Sequence, residues 1–449
     1  MAGACSVRYG WIKLNASRRA SAPWRGCRRG WTTTARRVRR SRWLSAARRR
    51  MTKKKAAAPV LWEDESRQAA RRAAAEELQR LYEAHDRHIA ADKQTCPRCR
   101  TRLHLLGMRS RYLTCCTGTL RFTRHVYYCR RCQHTHAPLD AALDIAGRQE
   151  SKLLRQLCVR LGAALPYAEG AQLLMDLTGV AVSATTIEEL SVAAGRALLA
   201  QQRHTAAPGH PPDGPLYIGM DGVTIHVRAA QPWRVVRVGT VFTTSPGPEG
   251  PCMQEKEYVA ELSSAEQFGR TLWETAVRWG VMDARRVVVL ADGAKENWAW
   301  AEMYVPGAVE ILDFYHACEH LRAVRDACFR ATDPAGSAWL EQQCHALKQG
   351  HWPQVVAAMA ALHPRNAAAR HVLLREQGYF RTNRQRMRYA YFQREGLYIG
   401  SGVVESGCKQ VGTRRMKVSG ARWDEQRAAA ILALRCAYLT RRDLLDRWA

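Results

Sequence analysis

The sequence predicts an α/β protein: a mixed sheet whose strands alternate with helices, interrupted by an all-α insertion and preceded by a cysteine ribbon and a helical segment. Three observations predict it. Segments 216–228, 233–244 and 256–262 alternate as three antiparallel-looking strands, and strands at 285–292 and 309–313 then alternate with helices at 264–280 and 295–304. From 314 to 392 every recognisable segment has helical periodicity and none reads as a strand. Two Cys-x-x-Cys pairs, "CPRC" (Cys96, Cys99) and "CRRC" (Cys129, Cys132), bracket a stretch that alternates apolar and polar residues.

Taken in order, residues 1–55 hold 18 Lys and Arg and no Asp or Glu, and show no apolar periodicity. They read as a disordered basic head, as a transit-peptide-like segment, or as an upstream extension ahead of Met51. Residues 56–92 predict an amphipathic helix rich in Ala, Glu and Arg, and 93–148 the ribbon. Four thiolates in two tight turns suit a closed, structural tetrahedral Zn²⁺ site, with no position left for a substrate. In "LRFTRHVYYC" the alternation puts Leu120, Phe122, Val126 and Tyr128 on one face. Cys115, Cys116, His134 and His136 are nearby alternative ligands, read as bystanders.

Residues 149–204 predict a helix ending near Gly179, a turn, and a second helix opened by Ser183 or by a Thr185–Glu188 capping box. That spacing fits a helix-turn-helix reading a major groove, and equally a packed helical hairpin. A Pro/Gly linker at 205–215 closes the segment. The sheet domain follows as 216–313, the insertion as 314–392, and a final helical part as 393–449.

The net charge of the 449 residues is +30, from 70 Lys+Arg against 40 Asp+Glu, which favours a polyanionic partner. The 15 cysteines are odd in number and mostly scattered, which argues for reduced thiols rather than a disulfide scaffold. No apolar run is long enough to span a membrane.

Asp221 in "YIGMDGVTIHV" is an acid inside a strand, where β-propensity is poor and an unpaired buried carboxylate is costly. Asp292 closes "VVVLAD", and strand ends in an open α/β sheet gather at a common edge. Facing carboxylates repel unless cations lie between them, and two Mg²⁺ (or Mn²⁺) ions with oxygen ligands are the productive answer. Glu405, in "SGVVESGCKQVGTRRMKVSGARW", is the third acid, with Lys409, Arg414, Arg415 and Lys417 placed to meet phosphates; a plain salt bridge is the alternative.

These fragments together resemble insertion-sequence transposases of the DDE type, the ISKra-type family, and more distantly Mutator-like elements. The likeness covers roughly 60–445 and rests on "CPRC…YYCRRCQHTHAPLD", "GMDGVTIHVR…WRVVRVGTVF", "VVVLADGAKENW", "ILDFYHACEHL" and "SGVVESGCKQVGTRRMKVSGARW". The resemblance implies a ribonuclease H-like catalytic domain with an all-α insertion before the last acid. It implies Asp221, Asp292 and Glu405 as the metal-binding triad, and matches Asp313 and His316 to an Asp-x-x-His element. Asp313 also ends a short strand and rivals Asp292. The "TCCTG" turn (114–118) departs from the pattern, and the basic head lies outside it.

The expectation is therefore a nucleoid-associated, cytoplasmic DNA transposase that binds the terminal inverted repeats of its element. Water attacks the scissile phosphate, and the freed 3′-OH then attacks target DNA. Arg384, Arg386 and Arg388, with Arg381, join the 409–417 cations on DNA, and Trp298 and Trp423 are candidate stacking residues. Pairing two element ends implies a homo-oligomer on DNA. A DNA-binding regulator and a structure-selective nuclease are the alternatives.

Overall fold

The computed structural model describes residues 59–92, 94–202, 213–248, 250–400 and 402–447. The basic head and most of the 205–215 linker lie outside them. The chain divides into two compact units, Met1–Ser66 and Arg67–Ala449, and the second carries the features below.

Helix α1 (Pro59–Ala90) is followed by a hairpin of two 12-residue strands, β1 (His104–Cys115) and β2 (Gly118–Cys129), with β3 (His134–His136) added at the edge. Leu113, Leu120 and Phe122 are buried, and the Phe122 ring meets Tyr82 of α1 edge-on at 5.4 Å. The expectation for β2 holds only halfway: Leu120 and Phe122 are buried, but beyond them the opposite face, Tyr127 and Cys129, is covered. The reason is that β2 serves two small cores, one under α1 and one around the cysteine knuckles, and a register shift opposite, between Leu105 and Gly107, separates them. Asp86 of α1 is 2% exposed, and takes hydrogen bonds from His125 N at 3.1 Å and from its ring Nδ1 at 2.6 Å.

After the short α2 (Pro138–Ala142), three helices follow: α3 (Lys152–Ala164), α4 (Tyr167–Thr178) and α5 (Ala184–Gln202). Gly179 ends α4 with φ +66°, the left-handed turn that glycine adopts without penalty. Ser183 caps α5 by accepting from Thr186 N at 3.0 Å; in place of the Thr185–Glu188 box, Glu188 pairs with Arg427.

The main sheet has the order β6-β5-β4-β7-β8. Its strands are β4 (Leu216–His226), β5 (Trp233–Gly247), β6 (Gly250–Glu261), β7 (Val287–Ala291) and β8 (Val309–Leu312). The first three are antiparallel, β7 is parallel to β4, and β8 is parallel to β7. β6 begins six residues earlier than its alternation predicts, because the β5–β6 ladder runs on to Gly247↔Gly250. Helices α6 (Ala265–Arg278) and α7 (Lys295–Tyr304) make the crossovers.

The insertion is all-helical as expected: α8 (Phe314–Cys328), α9 (Pro334–Lys348), α10 (Trp352–Ala360), α11 (Ala367–Thr382), a 3₁₀ turn at Arg384–Met387 and α12 (Tyr389–Arg394). Then come α13 (Gly402–Gly407), a wide π-type turn (Cys408–Thr413), α14 (Arg414–Met416), α15 (Glu425–Thr440) and α16 (Arg442–Arg447). One apolar core joins the sheet to α6–α8 and the insertion through Ile218, Val288, Leu290, Leu321 and Phe380. The other joins it to α3, α5 and α15 through Val159, Leu198, Val236 and Ile431. Helix α5 therefore shares a core with α15, and position 204 is not a core boundary. Among the described residues no helix is long and apolar enough to cross a membrane.

Candidate metal centres

The first centre is built by two turns of the same shape. In each knuckle the residue after the second cysteine is a non-glycine in the left-handed region, Arg100 at φ +59° and Gln133 at φ +51°. Such residues are uncommon, and finding one at the same place twice shows that the two pairs fold alike. Cys96 and Cys132 sulfurs lie 3.9 Å apart, and those of Cys99 and Cys129 3.5 Å apart. Hydrogen bonds from Thr101, first from its hydroxyl and then from its backbone, pull the Cys99 thiol down to about 6, toward the thiolate that metals bind.

One residue read as a bystander belongs to this centre. Cys96, Cys129, Cys132 and His134 each offer a ligand atom, and these all lie within 4.8 Å of one another. His134 Nδ1 is buried with no hydrogen-bond partner among the described residues. An orphaned nitrogen beside a set of sulfurs is the donor set of a structural metal, so the cluster can hold one. The signal in sequence was "CRRCQH", a histidine two residues past a knuckle; only the edge strand β3 turns it inward.

The second centre begins with register. The β4–β7 ladder runs Leu216↔Val287 to Met220↔Ala291, and the β7–β8 ladder ends at Ala291↔Leu312. One step further, the same register aligns Asp221, Asp292 and Asp313 in a single row across three strands about 4.8 Å apart. Asp313 N still donates to Ala291 O at 2.9 Å, so the row continues the ladder.

The segment that carries Glu405 lies along β4 by a second match of lengths. A Cβ on Gly219 would meet Val404 at 2.1 Å, and one on Gly412 would meet Val223 at 2.2 Å, so the helical segment lies directly on β4. Four strand residues span about 13 Å and eight helical residues about 12 Å, so the two elements keep step. Cys408, midway between Val404 and Gly412, falls at Asp221, midway between Gly219 and Val223. Its thiol is pushed far up, first by burial and then by the charges of Asp221, Glu405 and Asp292. Sequence reading missed Cys408.

Each acid is held differently. Asp221 Oδ1 accepts from Gly222 N at 2.6 Å. Asp292 Oδ1 accepts from Ala294 N at 3.0 Å and Asn297 Nδ2 at 2.9 Å, both at the start of α7. Glu405 is exposed, and Lys409 Nζ stands 2.6 Å from its Oε1. This is an i,i+4 salt bridge, the alternative expected for Glu405. Asp313 is 5% exposed and caps α8 by accepting from Tyr315 N at 2.9 Å. Burial, and after it charges that include Asp313, raises Tyr379, Tyr389 and Tyr398, and Asp292 raises Tyr379 as well. His316 lies 3.4 Å from Glu319 and packs edge-on against His320.

The basic residues sort into two groups. Lys409, Arg414, Lys417, Arg381, Arg384 and Arg388 are exposed. Arg415, expected on phosphate, is 2% exposed and is corrected: its Nε donates to Gly162 O at 2.9 Å, and its guanidinium lies over Tyr167 and Trp423. Arg435 Nη1 donates to Ala163 O at 2.9 Å, so the two arginines together satisfy carbonyls at the C-terminal end of α3. Arg386 is also used internally, 2.6 Å from Glu310 and over the Trp298 ring at 4.4 Å. Trp298 and Trp423 are both buried, so neither offers a free face.

No family model matches the chain, and no curated protein matches it.

Proposed function

We propose that the chain is a DDE-type DNA transposase on a ribonuclease H-like domain, acting on the terminal inverted repeats of an insertion sequence. The observation that carries this reading is the shared register of Asp221 and Asp292 one step past the β4–β7 ladder, with the helix that bears Glu405 laid on β4 at Gly219. The strand order 3-2-1-4-5, with three antiparallel strands followed by two parallel ones, supports the ribonuclease H-like assignment. So does an insertion placed between the last strand and the helix bearing Glu405.

The divalent cations, Mg²⁺ or Mn²⁺, supply charge stabilisation of the attacking and leaving oxygens in an in-line phosphoryl transfer. The chain's own residues do the rest. Asp221 and Asp292 present neighbouring oxygens on a rigid sheet row, and hydrogen bonds from Gly222, Ala294 and Asn297 fix their rotamers. Glu405, exposed on α13, closes the third side. Exposed Lys409, Arg414 and Lys417 neutralise the phosphates that follow. At the ribbon, Cys96, Cys129, Cys132 and His134 would hold a structural Zn²⁺, with Cys99 beside them as the alternative fourth ligand.

The test is strand cleavage of element-end DNA with Mg²⁺. Asp221→Asn, Asp292→Asn and Glu405→Gln each lower cleavage by at least about 100-fold, the scale of losing one electrostatic contact to a reacting group, while end binding persists. Cleavage retained by Asp292→Asn but lost by Asp313→Asn transfers the role to Asp313.

A further inference from the structure

We propose that Tyr379 is a positioning residue for Asp292, so that the all-α insertion sets the affinity of the carboxylate centre for its metal; this rests on the metal-binding reading above. The Tyr379 hydroxyl donates to the Asp292 carbonyl oxygen at 2.9 Å. That carbonyl lies one residue past the end of β7, where the sheet ladder has stopped. The next residue, Gly293, has φ +95°, and a Cβ there would meet the Tyr379 oxygen at 2.5 Å. The phenol is therefore seated in the turn that leaves the strand, and it holds the peptide plane from which the Asp292 carboxylate is aimed.

The phenol itself is held from behind. Its ring stacks on His320 of α8 with centroids 3.7 Å apart and planes 20° apart. His320 Nδ1 lies 2.6 Å from Glu376 Oε2, and Glu376 is 1% exposed on α11, one helical turn before Tyr379. Arg375 closes the far side through Nε at 2.8 Å to Glu376 Oε1. A continuous chain thus runs Arg375, Glu376, His320, Tyr379, Asp292, and joins α8 and α11 of the insertion to one acid of the row. Hydrogen-bonded partners behind a ligand commonly change metal affinity by about 10–100-fold.

The experiment titrates Mn²⁺ into the full-length, zinc-loaded chain without DNA, reading free Mn²⁺ by electron paramagnetic resonance. Tyr379→Phe removes one oxygen and keeps the ring on His320. It is expected to weaken Mn²⁺ binding about tenfold. Tyr389→Phe is the control: its hydroxyl is buried and has no partner among the described residues, so its removal leaves Mn²⁺ affinity unchanged and reports the effect of removing a tyrosine hydroxyl that touches neither Asp292 nor His320. Unchanged affinity in Tyr379→Phe overturns the proposal, as does an equal loss in both variants. Asp221→Asn separates the two layers: if the unaltered chain binds no more Mn²⁺ than Asp221→Asn does, the metal-binding reading fails, and this inference with it.

Discussion

Asp221 occupies a position where strand propensity and burial both disfavour an acid, and its neighbours explain how it is tolerated. Gly219 and Val223 on the same face are covered by Val404 and Gly412, and the gap between them is filled by Cys408. Gly219→Ala places a methyl within 2.1 Å of Val404 Cγ2. The helix must lift, which is expected to cost about 1–3 kcal/mol in chemical denaturation and to lower cleavage by displacing Glu405. Normal stability with normal cleavage in that variant means that α13 does not rest on β4. Arg415 shows the converse case, a basic residue in a basic run that turns inward. Arg415→Ala leaves α3 carbonyls unsatisfied and is expected to cost about 2–3 kcal/mol without altering the salt dependence of DNA binding. Lys417→Ala is expected to lower the slope of log affinity against log salt by about one.

At the scale of elements, α8 and α11 are joined by a titratable clamp. Burial pushes the Glu376 carboxyl up, but His320 and Arg375 outweigh it and hold the group below its ordinary value of 4.5. A depressed carboxylate contributes stability that is fully present above its unfolded value and is lost as pH falls through the folded one. The melting-temperature difference between the unaltered chain and Glu376→Gln is therefore expected to shrink on acidification below about pH 4.5. A difference that grows on acidification contradicts the clamp. The ribbon is a second element with its own test: chelation is expected to release about one zinc per chain and to unfold the β1–β3 hairpin. Because His134 stands beside the sulfurs, Cys99→Ser is expected to retain metal that Cys129→Ser loses, as read by zinc content after gel filtration.

At the scale of the whole molecule, the amino-acid order alone determined the segments: the strands of the main sheet, the helical insertion and the paired cysteines. These are local properties, set by alternation, by periodicity and by chemistry that needs particular side chains at short spacing. The tertiary structure decided which polar residues face outward. Arg415 and Arg386 look like their exposed neighbours Arg414 and Arg384 in sequence, yet they are spent on helix carbonyls, Glu310 and aromatic faces. Helix α5, whose spacing fits groove reading, shares a core with α15. Cys408 and Tyr379 have no local signature, and that of His134 is only its place two residues past a knuckle. Each acquires its place from a partner that lies far away along the chain or from a strand edge that exists only once the sheet has formed. Register did the decisive work: one shared step along two ladders aligned the acids, and a one-residue slip would have turned them to opposite faces.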